Sequence, residues 1–175
     1  MQFQISNFKF QISKGFTLIE LMIILTAITI ISGVGITSFV SYNNLQTLNK
    51  ASSELTTAFL VAKSRALSQV KPESCVGELQ GHGIYIEGAQ IYQSFAACSG
   101  GWYDIKTHLL PKGTAIQQEF WGKSFTFRVL TGNVEIPDMF DEYLIRIGAY
   151  LWTREIVIFK NGRILQTDDY SNIKK

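Results

Sequence analysis

Between Phe16 and Val40 lie 25 residues of which one, Glu20, is charged. As a helix this run would be roughly 37 Å long against a hydrocarbon core of about 30 Å, so the sequence predicts a membrane crossing with some tilt. No A-x-A-like site follows the run, which argues against a removable secretory signal. Lys9 and Lys14 precede it and the next basic residue is Lys50. The positive-inside rule then leaves the amino terminus in the cytoplasm and carries the bulk of the chain outside.

A plain anchor does not account for Glu20. A carboxylate at mid-membrane costs about 2.5 to 3.5 kcal/mol, less near the end of a span, and marks a functional position that needs a partner. The stretch Lys14-Gly15-Phe16-Thr17-Leu18-Ile19-Glu20-Leu21-Met22 resembles the start of the type IV prepilins: a basic leader ending in Gly, then an apolar helix with an early acid. The resemblance implies that a membrane-embedded prepilin peptidase cuts between Gly15 and Phe16 and methylates the new amine of Phe16. It also implies that Glu20 pairs with the amino terminus of a neighbouring subunit during assembly. A carboxylate and an ammonium among apolar helices relieve each other's uncompensated charge. The chain departs from many pilins in having Thr37 where they have Pro.

From Phe39 to Val70 the pattern becomes amphipathic, with Leu48, Ala51, Leu55, Phe59, Ala62, Ala66 and Val70 recurring every three or four residues. Lys71-Pro72 should stop this helix by Val70. Short runs with turn signals follow, predicting strands at 83–87, 90–96, 102–106, 114–120, 124–130, 143–147, 154–159 and 163–167. Asn161-Gly162 reads as a type I′ hairpin turn, with Glu87-Gly88 and Thr131-Gly132-Asn133 as weaker turn signals.

The expected fold class is therefore α+β and pilin-like: one long amino-terminal helix, half membrane and half amphipathic, packed on antiparallel sheet. The expected order is a cytoplasmic leader 1–15, a transmembrane helix 16–40, a continuing helix 41–70, an extracytoplasmic β-rich domain 71–170 and a polar tail 171–175. Three segments resemble the GspH/FimT-type minor pseudopilins and pilins. They are His82-Gly83-Ile84-Tyr85-Ile86, the strand and turn from Phe125 to Val134, and the hairpin from Ile156 to Ile164.

Cys75 and Cys98 both lie beyond the apolar run, and an even count on an exported domain favours a disulfide over two buried thiols. The bridge would close a loop of about 24 residues, worth roughly 3 kcal/mol by the chain-entropy model. Neither cysteine is in a CxxC pair and neither His82 nor His108 has ligand spacing to them, so no metal site is expected. His82, between Gly81 and Gly83, reads as a turn residue. Asp138, Asp141 and Glu142 read as a solvated loop rather than a calcium site, since their spacing does not match an EF-hand.

No nucleophile elbow or other ordered catalytic signature occurs, so no catalytic residue, cofactor or enzyme activity is expected. Removing Lys9 and Lys14 with the leader leaves 14 basic against 14 acidic side chains, a neutral mature chain without the field that supports non-specific nucleic-acid binding. Some relatives in the FimT group bind DNA through a carboxy-terminal Gly-Arg-x-Arg motif. Gly162-Arg163-Ile164-Leu165 keeps only the first Arg, which leaves Arg163, Arg154 and Lys160 as a minority DNA-contact set. Trp102, Tyr103, Trp121, Tyr150 and Trp152 read as packing residues rather than a base-stacking platform.

The leading expectation is a structural subunit of a type II secretion or type IV pilus-like filament. Its partners are a prepilin peptidase, other pilin or pseudopilin subunits and the inner membrane. The alternatives are a DNA-uptake pilin and a membrane-anchored receptor or enzyme.

Overall fold

The structure is a computed structural model that describes residues 15, 17–135, 142–150 and 152–167, with residues 33–37 described by backbone alone. Phe16, residues 1–14, Asp138, Asp141 and the tail 171–175 fall outside this set. The chain divides into two compact units at Val40 and Ser41.

One helix, α1, runs over Leu18–Leu67. It begins at a capping box. Thr17 Oγ1 accepts from the Glu20 backbone N–H at 3.3 Å, and the Glu20 carboxylate takes the Thr17 backbone N–H at 2.9 Å and its hydroxyl at 2.8 Å. Reciprocal bonds of this kind satisfy donors that a helix start otherwise leaves open. The helix ends at Leu67, three residues before the predicted stop and well before Pro72. Gln69 adopts φ +52°, the Val70 N–H reaches the Arg65 carbonyl at 3.0 Å and the Gln69 N–H reaches Ala66 at 3.2 Å. That is a Schellman motif with Gln in the position usually held by Gly.

The α+β class holds, and the membrane half of the expected helix does not. Among the described residues no helix is long and apolar enough to cross a membrane. The apolar stretch with described side chains, from Leu18 to Ile31, has 14 residues and is interrupted by Glu20, Thr26 and Thr29. A span needs about 20.

The second half of α1 follows its predicted stripe except at Val70, which lies beyond the helix end and is half exposed. Leu48, Ala51, Leu55, Phe59, Ala62 and Ala66 are all buried in the main core. Two antiparallel sheets share that core. The first has the order β3-β2-β1-β5-β6, from β1 (Leu79–Ile86), β2 (Ile91–Cys98), β3 (Gly101–Leu109), β5 (Ser124–Arg128) and β6 (Val134–Glu135). The second has the order β4-β7-β8-β9, from β4 (Ala115–Ile116), β7 (Glu142–Ala149), β8 (Trp152–Phe159) and β9 (Ile164–Thr167). Phe59 meets Phe125 and Phe127 edge-on at centroid distances of 5.6 and 6.4 Å, while Ile145, Ile147, Ile156 and Ile158 fill the core from the second sheet.

Three local expectations are corrected. The predicted strand 114–120 shrinks to β4 followed by a 3-10 turn, Gln118–Phe120: the Gln117 N–H still bonds Arg146 O at 3.1 Å in the β4–β7 register, and the chain then turns as the Phe120 N–H bonds Gln117 O at 3.1 Å. The strand predicted over 124–130 ends at Arg128, where Leu130 and Gly132 take positive φ and return the chain to β6. The Asn161-Gly162 turn is not type I′, since Gly162 has φ +76° and Asn161 does not share a positive φ. Gly162 N–H bonds Phe159 O at 2.8 Å and Phe159 N–H bonds Arg163 O at 2.9 Å, the pattern of a three-residue loop closed by a left-handed Gly.

His82 is not in a turn. It lies in β1, 1% exposed, with Gly81 and Gly83 beside it in the strand. Glycine is required at 83 because a Cβ there would stand 2.5 Å from the Phe95 ring and from Phe125 O. Phe95, the cross-strand partner of Gly83, lays its ring over the glycine and is itself covered by Trp102 at 4.5 Å.

Candidate assembly and docking sites

The sequence-predicted assembly residues lie at the start of α1. Gly15 is exposed, and a Cβ on it would meet nothing within 4 Å, so packing gives no reason for glycine there. Phe16, the expected cleavage and methylation partner, lies outside the described residues. Glu20 is exposed and engaged by Thr17 through the capping box. The Thr-x-x-Glu pattern of that cap was present in the sequence ahead of an apolar run and is the signal by which it could have been found. Apolar side chains of this first stretch are open: Leu18, Ile19, Ile30 and Ile31 are each at least two-thirds exposed.

Cys75 and Cys98 are joined in a disulfide, each about 5% exposed, in a small cluster with Ala96, Leu79, Tyr103 and Ile105. The bridge ties the segment after α1 to the end of β2.

The two turns that carried the sheet resemblance come together, which sequence could not show. A Cβ on Gly162 would stand 2.0 Å from the Gly132 carbonyl. Lys63 of α1 donates to Gly162 O at 2.9 Å, and the Val134 N–H bonds Lys160 O at 2.9 Å. Of the three residues considered for DNA, Lys160 and Arg163 are exposed and flank this one hairpin. Arg163 rests over the Phe159 ring at 5.4 Å. Arg154 sits near the other end of β8 and donates to Asn49 of α1 at 2.9 Å, so the three do not converge. The aromatics are also dispersed: Trp102 covers Phe95, the Trp121 ring N–H bonds Ile116 O at 3.1 Å, and Tyr150 and Trp152 flank the β7–β8 turn.

Both histidines line one groove that sequence reasoning missed. It lies between the α1 face carrying Glu54, Val61 and Arg65 and the β2–β3 hairpin, with a volume of about 730 Å³. His82 Nε2 is 2.7 Å from Val70 O. A carbonyl only accepts, so Nε2 carries the proton and Nδ1 is the bare nitrogen, buried without a partner. Burial lowers the His82 pKa; the Val70 bond opposes this and the Arg65 charge adds to it. His108 stacks on Tyr92 at 4.8 Å with the rings 4° from parallel. Its pKa is lowered by burial and by Lys106 and Arg65, against Glu54. Burial, with the Glu54 charge, pushes the Tyr92 hydroxyl up to about 12.

Ser94 Oγ lies 3.4 Å from His108 Nε2, yet its own proton goes to Lys106 O at 3.2 Å. A hydroxyl committed to a carbonyl is not activated by the ring, so this is not the geometry of a nucleophile and its base. Among the described residues no three His, Cys, Asp or Glu side chains gather to hold a metal ion. No family model, no curated protein and no solved structure matches the chain.

Proposed function

We propose that the chain is a minor pilin or pseudopilin, a structural subunit of a type II secretion or type IV pilus-like filament. It is held at the inner membrane before assembly, cleaved after Gly15 by a prepilin peptidase and methylated at Phe16. Its β-rich domain stands outside the cytoplasm, and its role is packing and display rather than catalysis.

What supports this reading is the opening of α1, where Leu18, Ile19, Ile30 and Ile31 expose apolar side chains and Glu20 stands in the first turn. Exposed apolar helix surface of this kind requires cover from lipid or other helices. In a filament, neighbouring copies of the same segment supply that cover and Glu20 meets a subunit's amino-terminal ammonium.

Glu20 substitution tests the assembly role. Gln preserves the capping pattern with Thr17 but has no charge, whereas Ala loses both. The reading predicts that Glu20→Gln and Glu20→Ala each lower the filament fraction recovered by shearing by at least about tenfold, equivalent to 1.4 kcal/mol. Normal assembly of Glu20→Gln would assign the residue to capping alone.

A DNA-uptake role is the second reading, favoured by the exposed pair Lys160 and Arg163 on one hairpin. Gel shifts across a salt series test it, because phosphate contacts weaken steeply with salt. Absence of a shift at low salt removes it.

A further inference from the structure

We propose that the groove between residues 53–65 of α1 and the β2–β3 hairpin docks an acidic peptide segment of a partner protein. Arg65 and Lys106 receive its carboxylates, and the His108 ring, backed by the buried Tyr92, together with Val61 and Leu109 supports its apolar side chains. The groove lies wholly within the unit after Val40, so the inference does not depend on the filament reading.

Charge indicates the occupant. Among the described residues Arg65 and Lys106 have no carboxylate within ion-pair distance, although both line the groove. The one acid lining it, Glu54, lies 3.9 Å from Lys50, a cation outside the groove. Two unpaired cations in one cleft, both acting on His108, outnumber the single acid there and make the site locally positive. A guanidinium and an ammonium in such a cleft gain most from carboxylates, through charge-assisted hydrogen bonds.

Shape and apolar surface indicate a peptide rather than a lone ion. The volume of about 730 Å³ is in the range of organic ligand pockets. The rims are apolar and open, with Val61 44% and Leu109 71% exposed. The neighbouring sheet edge is poorly suited to simple strand addition. β3 is the edge strand, but the register slips between Ser94 and Phe95, making Ile105 the extra residue, and Asp104 and Lys106 flank it. A bulge with adjacent charges is a common way to blunt an edge. The same bulge coincides with Ser94, Phe95, Ile105 and Lys106 lining the groove. Side-chain docking in the cleft, not extension of the sheet, is therefore the expected mode.

The test is fluorescence anisotropy on the full chain in detergent. The probe is a Glu-Leu-Glu-Leu-Glu peptide carrying fluorescein on its amino terminus and amidated at its carboxy terminus, and its Gln-for-Glu analogue is the control. The parent is expected to bind the acidic peptide saturably at low salt and at least about tenfold more weakly at about 1 M salt. Arg65→Gln with Lys106→Gln is expected to weaken binding by at least about tenfold, as is the change to the Gln analogue. Lys106→Gln alone alters an exposed edge side chain, so it supplies the comparison if the Arg65 variant melts early. Equal binding by variant and parent, equal binding of both peptides, or no saturable binding at low salt would each overturn the proposal.

Discussion

Glu20, His82 and Gly162 each sit in surroundings that their neighbours in sequence did not reveal. The sequence marked Glu20 as an acid in an apolar run; the structure adds that Thr17 already engages it. Loss of the Thr17 cap alone, in Thr17→Ala, should cost about 1 kcal/mol of helix stability, read as reduced ellipticity in the first turns of a peptide spanning 15–32. His82 looked like a turn residue because glycines flank it, yet those glycines serve close strand packing. Its pKa is lowered on folding, so the unfolded chain binds more protons once pH falls below the ordinary value of 6.5. Its contribution is whole above that pH and declines as pH drops toward the folded-state value. The urea midpoint should therefore fall between pH 7.5 and pH 5, with a limiting slope near 1.4 kcal/mol per pH unit for the His82 proton and His108 adding in the same direction. His82→Asn should flatten that dependence; an unchanged slope in the variant would assign the effect elsewhere. At Gly162, Ala would meet both a positive φ and the Gly132 carbonyl, and a loss of more than about 1 kcal/mol is expected in urea unfolding.

Helix and strands differ in how far local sequence determined them. The α1 stripe from Leu48 to Ala66 was legible because a 3.6-residue period survives any tertiary context, and every stripe position in that span is buried. Its end was legible only approximately, since Pro72 signals a stop but the Schellman motif places it at Leu67. Gln69 holds φ +52° there, which Gly adopts without strain. Gln69→Gly should thus raise stability by about 0.5 to 1 kcal/mol, an unusual sign for glycine, and a loss would argue against the motif. The ends of β4 and β5 were not legible: a 3-10 turn replaces the strand after Gln117, and beyond β5 the Val129 N–H bonds Gln80 O at 3.1 Å. The Asn161-Gly162 turn type was likewise not legible, being set against the Gly132 turn on another sheet. The membrane half was read from composition over 16–40, and the described helix does not meet the length and polarity that a span requires.

The whole molecule joins a carboxy-terminal domain built on one shared core to an apolar helical segment with its own separate unit. The groove with Arg65, Lys106 and the two histidines was invisible in sequence, since its walls come from positions 53 to 109 in four separated segments. The disulfide was legible as a parity argument, and its place between the post-helix segment and β2 was not. Replacing Cys75 and Cys98 together by Ala should cost the domain roughly 3 kcal/mol, measured by urea unfolding of oxidised parent against variant.

The proposed function turns on how the amino terminus is processed. Intact mass and amino-terminal sequencing of the membrane-extracted protein, with and without an active prepilin peptidase, address it directly. The reading predicts a peptidase-dependent chain that begins at methylated Phe16. A chain that still begins at Met1 in the presence of the peptidase, or one cut beyond Val40, would contradict entry into the filament pathway.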